Sequence, residues 1–164
     1  MKFIGIIILF LTISCNKEDD FQFSTDSAFY AIKNNSEWVS TSSWANHSLN
    51  NDKFIIVGNK KDTEYYQEER LHFIFSSPGI SKLNVVKDFY AEWNFIIGGD
   101  GISDTYVIDS TYCNLIKIDS IDTLNKQING TFEIKLVRDK FRSNLGKTLL
   151  YKNGTFSLNY IEHD

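Results

Sequence analysis

Residues 127–137, QINGTFEIKLV, alternate without a break. Ile128, Gly130, Phe132, Ile134 and Leu136 take one side, and Asn129, Thr131, Glu133 and Lys135 take the other. Side chains at every second residue share one face of a strand, so this run predicts a strand with one buried and one wet face. The run 152–162, KNGTFSLNYIE, repeats the pattern. Gly154, Phe156, Leu158 and Tyr160 stand against Asn153, Thr155, Ser157 and Asn159. Both runs contain NGTF, at 129–132 and 153–156, with Gly and Phe on the apolar side. An aromatic ring laid over the glycine of a neighbouring strand is a packing device of curved sheets. The two runs are therefore expected to be adjacent antiparallel strands joined through 140–147, KFRSNLGK.

Shorter strand-like runs precede them. AFYAIK (28–33) meets an Asn34-Asn35-Ser36 turn and a second short strand near Trp38. Asn tolerates positive φ, which suits a tight hairpin. DKFIIVGN (52–59) and RLHFIFSS (70–77) follow, the latter with Leu71, Phe73 and Phe75 opposite His72, Ile74 and Ser76. KLNVV (82–86), EWNFII (92–97), TYVIDS (105–110) and CNLIKID (113–119) complete the set. Pro78-Gly79 and Gly98-Gly99-Asp100-Gly101 punctuate them. Apart from residues 1–14, no segment holds a helical period for twelve residues, though a short helix near 81–91 fits. Roughly nine short strands at hairpin spacing predict an all-β fold, either an antiparallel β-sandwich or an up-and-down, calycin-like barrel.

Composition agrees with that reading. Aromatics are 15% of the 164 residues, with 13 Phe and 8 Tyr, types that favour pleated, half-buried surfaces. A chain of this length fits one domain and buries a sizeable core without staples. The formal charge is −4 with no basic cluster, which argues against nucleic-acid binding.

Residues 1–14, MKFIGIIILFLTIS, place one Lys before a short apolar run and end on Ser14. The run is too short to span a bilayer, which takes about 20 residues, and has the order of a cleaved signal peptide. Leu11-Thr12-Ile13-Ser14-Cys15 resembles the signal of bacterial lipoproteins, with Thr12 where the family usually has Leu. The resemblance implies that Cys15 is acylated and becomes the first residue of the mature chain. The next residues, Asn16 and then Lys17, Glu18, Asp19 and Asp20, are similar to the surface-export signal of Bacteroidota lipoproteins; a solvated tether is the plain alternative. Several acyl chains at about 0.8 kcal/mol per buried methylene anchor a protein stably. The expected organisation is signal peptide 1–14, lipidated cysteine and flexible tether 15–27, and one all-β domain 28–164. The expected location is the outer membrane, lipid-anchored and facing the cell exterior, with the periplasmic face as alternative. Two cysteines in an exported protein invite a disulfide reading; the alternative preferred here is that Cys15 is consumed by acylation, which leaves Cys113 as a lone thiol, read as a small buried hydrophobe.

FYAIKNNSEW, CNLIKIDSIDTLNKQINGTFEIKL and LLYKNGTFSLNYI together resemble a domain of unknown function in small Bacteroidota lipoproteins, over most of 28–161. That likeness implies an all-β fold and carries no activity.

Candidate chemistry is sparse. His47, His72 and His163 match no zinc-ligand spacing, and His163, one residue from the end, is expected to fray. No nucleophile motif occurs, and no carboxylate pair is singled out. The sequence calls for no cofactor and no resident metal, with Asp100 and Asp104 of GGDGISD as weak calcium candidates. Trp44 stands among Ser42, Ser43, Asn46 and His47, so it is the candidate contact for a protein or glycan ligand. Trp38, Trp93, Tyr65, Tyr66 and Tyr90 are further candidates for such a face. Asp-Ser/Thr-apolar triplets at 26–28, 109–111, 119–121 and 122–124 resemble Bacteroidota O-glycosylation acceptors. The expectation is an envelope lipoprotein with a non-catalytic binding or structural role. A small-ligand-binding barrel and a hydrolase of envelope or host glycans are the alternatives.

Overall fold

The computed structural model describes residues 28–78, 85–86, 88–98, 101–140 and 142–164. It is all-β, and among the described residues there is no helix. The leader, Cys15 and the acidic tether lie outside the described residues. Among the described residues eleven strands occur: β1 (Phe29–Lys33), β2 (Ser36–Val39), β3 (Ser42–Ser48), β4 (Lys53–Asp62), β5 (Gln67–Ser76), β6 (Val85–Val86), β7 (Phe89–Ile97), β8 (Gly101–Ile108), β9 (Leu115–Asp122), β10 (Gln127–Lys140) and β11 (Thr148–His163).

Their hydrogen-bond ladder closes on itself. From β3 it runs through β4, β5, β7, β8 and β10 to β11, which pairs back to β3. Closure removes the exposed edges that an open sheet would present. Two long strands make the corners. β10 pairs with β9 over its first half and with β8 over its second. β11 pairs with β1 first and with β3 at its end. The register of β10 on β11 breaks between Phe132 and Ile134, opposite Asn153 at φ 53°, which bends both strands.

The NGTF expectation holds on both strands. Gly130 lies opposite Phe156 and Gly154 opposite Phe132, in adjacent antiparallel strands. A Cβ on Gly154 would lie 2.4 Å from ring atoms of Phe132, and one on Gly130 2.5 Å from Phe156. These rings meet Phe29 inside the barrel, with centroids 5.4 Å (Phe132) and 6.1 Å (Phe156) away; Phe73 lies 4.9 Å from Phe132. The barrel centre is thus filled by side chains.

Turn chemistry explains the hairpins. Asn34 and Asn35 sit at φ 49° and 69° and connect β1 to β2 in two residues, as expected. Two longer hairpins share one design, DTEYYQ (62–67) and DTLNKQ (122–127). In each, Asp Oδ1 accepts the N–H groups two and three residues on, Glu64 and Tyr65 or Leu124 and Asn125. Tyr66 and Lys126 then take positive φ to rejoin the ladder.

Several expectations need correction. Among the described residues the strands number eleven, where roughly nine were expected. The β11–β3 pairing is parallel: β1 runs antiparallel to β11, the hairpin to β2 reverses the chain, and β3 then runs in the direction of β11. The strand expected from 113 begins at Leu115. Residues 85–86 and 89–91 are strand rather than helix; 81–84 and 87 lie outside the described residues. His163 is the last residue of β11 and pairs with Ser48, so it is not frayed.

Candidate functional site

Alternation decides which aromatics reach solvent. In β5, Leu71, Phe73 and Phe75 are buried inward, so His72 and Ile74 point out. Cross-strand register carries this outward row from Trp44 on β3 through Val57 on β4 and His72 on β5 to Glu92 on β7 and Val107 on β8. Two residues further along lies the row Asn46, Ile55, Ile74 and Tyr90. On the other side lie Ser42, Asn59, Arg70, Asn94 and Thr105.

Trp44 and Tyr90 are 43% and 41% exposed on this face, whereas Val57 between them is 3% exposed. The strand spacing of roughly 4.8 Å puts about 14 Å between the β3 and β7 positions. The Tyr90 and His72 ring centroids are 5.7 Å apart. The flanking polar row is already organised. Arg70 donates to Asn59 Oδ1 (3.1 Å) and Glu68 Oε1 (2.8 Å). Asn94 donates to Glu92 Oε1 (2.7 Å), and Thr105 donates to Asn94 Oδ1 (3.1 Å). The Tyr90 hydroxyl donates to Glu92 Oε2.

The electrostatics favour neutral rings. Burial lowers the His72 pKa, with Glu92 partly opposing and Arg70 adding to the fall. Burial, then the hydrogen bond to Glu92, pushes the Tyr90 hydroxyl up to about 12. Around neutral pH the face is thus an aromatic platform beside fixed amides, and acid–base chemistry is not its strength.

The expected contact residues are split by the fold. Trp44, Tyr65, Tyr66 and Tyr90 are exposed, but Trp38 and Trp93 are core, each 1% exposed. Asp104 is fully buried, and its Oδ1 accepts the backbone N–H groups of Arg142 (3.2 Å) and Ser143 (3.4 Å). Burial alone would raise its pKa; the hydrogen bonds outweigh that and lower it. Asp104 therefore pins the 142–147 loop, and Asp100 lies outside the described residues. Among the described residues, no group of three or more His, Cys, Asp and Glu could hold a metal ion. Cys113 is exposed in the loop before β9 and engaged in a disulfide, which corrects its reading as a lone buried thiol.

Two clusters were not singled out in the sequence. At the closing seam, His47 stacks on Phe54 (4.3 Å) and meets Asp52 Oδ1 at 2.9 Å. Glu162, opposite His47 in the parallel pairing, is 3.9 Å from its Nδ1 and 2.8 Å from Lys126 Nζ. At the other end, Glu69 Oε2 accepts from Lys33 Nζ (2.6 Å) and Trp38 Nε1 (2.7 Å). The Lys33 ammonium lies 4.4 Å from the Trp93 ring centroid, a cation–π contact. Burial lowers the Lys33 pKa, and Glu69 opposes it.

The fold and this face define a closed β-barrel with a filled interior and one aromatic outer surface. No family model, curated protein or solved structure matches the chain.

Proposed function

We propose that the protein is a lipid-anchored lipoprotein of the outer membrane, displayed outward, that binds a glycan without catalysis through the outer face of β3, β4, β5 and β7. The observation that carries the binding half is the pair of exposed rings, Trp44 and Tyr90, beside a row of hydrogen-bonded amides. Sugar rings stack on aromatic faces and need polar partners at their edges, and this surface offers both. The side chains filling the barrel centre support a surface site over an interior ligand cavity. The anchor half rests on residues 1–20 of the sequence.

The anchor has a chemical consequence. The chain contains two cysteines, and one sulfur cannot hold both a thioether and a disulfide. With Cys113 engaged in a disulfide, an acylated Cys15 requires the partner sulfur of Cys113 to lie outside the chain. Cys15→Ser then abolishes fatty-acid labelling and releases the protein from membranes; a variant still labelled and membrane-bound overturns the anchor. Replacing Lys17, Glu18, Asp19 and Asp20 with Ala keeps acylation and lowers protease access from outside the cell.

For the face, native gels cast with soluble glucan, xylan, mannan or a sulfated glycan report binding as retardation. The expected result is retardation by at least one, lost in Trp44→Ala with the fold intact. Retardation by none, or equal retardation of the variant, overturns glycan binding and leaves a protein partner for this face.

A further inference from the structure

Arg70 lies in the outward row Ser42, Asn59 and Arg70, one step of two residues from the row of Trp44. Its guanidinium reaches over β4. Nε donates to Asn59 Oδ1 at 3.1 Å, and Nη2 donates to Glu68 Oε1 at 2.8 Å. Asn59 is only 7% exposed, and its carbonyl oxygen accepts from the N–H (2.7 Å) and the hydroxyl (3.2 Å) of Thr41. Arg70 is therefore held at two points on a fixed support. Trp44 pairs with Val57, so Asn59 is its diagonal neighbour on the same face of β4. Diagonal neighbours stand about 7–8 Å apart, within reach of aromatic and long side chains. A sugar stacked on the indole thus has its edge at the guanidinium. Among the described residues these two are the hydrogen bonds of Arg70, and its side chain is 44% exposed. The other N–H groups of the fork are open to a ligand.

We propose that Arg70 selects the glycan: its fork donates to two hydroxyls on adjacent ring carbons of a sugar stacked on Trp44, and the ligand is an uncharged chain that leaves such a pair free. This rests on the reading of the face as a glycan site. Staggered oxygens on adjacent carbons stand about 3 Å apart, and bonds of about 3 Å from neighbouring nitrogens of one guanidinium meet both. Equatorial oxygens on alternate ring carbons stand about 5 Å apart, too far for one fork. An ionised donor makes the stronger bond to a hydroxyl, and a side chain already held loses little freedom on binding. Charge argues against an acidic chain. Glu68 already gives the guanidinium its carboxylate, and a second anion would sit against it. Lys61 Nζ lies 3.7 Å from the other Glu68 oxygen, and Glu92 stands on β7 of the same face, so these four charges cancel.

Linkage then decides binding. A 1,4-linked chain keeps the hydroxyls on carbons 2 and 3 of every unit as an adjacent pair. A 1,3-linked chain of hexoses has no adjacent pair along its length. The ligand class is therefore a neutral 1,4-linked glucan, mannan or xylan.

The test uses the chain from residue 15 with Cys15→Ser, which keeps every described strand, in native gels. The gels are cast with soluble 1,4-linked glucomannan or xylan, or with a 1,3-linked glucan, plain or sulfated. Retardation by glucomannan or xylan is expected, with binding of either 1,3-linked glucan weaker by roughly tenfold. Methylating hydroxyls 2 and 3 of the retarding polymer keeps its rings for Trp44 and should also weaken binding roughly tenfold. Arg70→Lys keeps the charge and loses the fork. At unchanged thermal stability it should bind the plain polymer roughly tenfold less tightly and no longer distinguish it from the methylated one. Equal retardation by the plain 1,3-linked glucan, tighter binding of its sulfated form, or an Arg70→Lys variant that still tells plain from methylated polymer overturns the proposal and leaves glycan binding standing. Retardation by none of the polymers overturns the glycan reading and this proposal with it.

Discussion

Gly154→Ala tests the packing on which the barrel's corner depends. The new Cβ would lie 2.4 Å from two ring atoms of Phe132 and 2.5 Å from a third. Carbon contacts want about 3.5–4.0 Å, so the ring must move by more than about 1 Å. Phe29 and Phe73, centroids 5.4 and 4.9 Å away, stand behind it and are themselves buried. Overpacking of this kind costs about 1–3 kcal/mol. Gly154 is not at positive φ, so Ala also gains about 0.4–1 kcal/mol from a less flexible unfolded chain. The two ranges combine to a net loss of about 0–2.6 kcal/mol, centred near about 1.3 kcal/mol, read as a lower urea midpoint at constant slope. Phe132→Leu should couple favourably with Gly154→Ala, because it removes the ring atoms that clash. A Gly154→Ala variant as stable as the parent, or no coupling with Phe132→Leu, refutes the ring-over-glycine account.

Other consequences can be measured separately. Lys33→Met leaves Glu69 with only Trp38 as donor and should cost roughly 2–4 kcal/mol in urea unfolding; Lys33→Met with Glu69→Leu should recover part of it. Asp109 accepts from the Thr111 hydroxyl, Lys135 and the Thr111 N–H, which hold its carboxyl down at about 2. A depressed carboxylate stabilises the fold above its ordinary pKa and loses that contribution as pH falls from about 4 to about 2. Asp109→Asn should flatten stability over that window, and an unchanged acid slope counts against the hydrogen-bond set. Trp44 is the exposed indole and Trp38 and Trp93 are core, so Trp44→Phe should remove most acrylamide-quenchable fluorescence.

Legibility followed local rules. The alternation of β10 and β11, the Asn34-Asn35 turn and the facing NGTF segments are properties of short stretches, and the structure agrees with them. The parallel joint of β11 to β3 joins segments more than a hundred residues apart, and no local period reports it. Lys33 and Glu69 were within reach. Lys33 continues the inward series Phe29 and Ala31, and Glu69 precedes Leu71, Phe73 and Phe75 by the same step of two. Two opposite charges on inward positions imply a buried pair, but only the fold brings them together. For the candidate face, polar neighbours marked Trp44 correctly as exposed, while Trp38 and Trp93 look similar in sequence and are core. Which rings share a face depends on cross-strand register, which a single sequence does not state.

The most direct measurement is calorimetric titration of the chain from residue 15, Cys15→Ser, with an oligosaccharide of whichever polysaccharide retards it. The account predicts that Trp44→Ala and Tyr90→Ala each weaken binding roughly tenfold, about 1.4 kcal/mol, while Tyr65→Ser at the barrel end leaves it unchanged. Equal affinity of the parent, Trp44→Ala and Tyr90→Ala would contradict the assignment of that face.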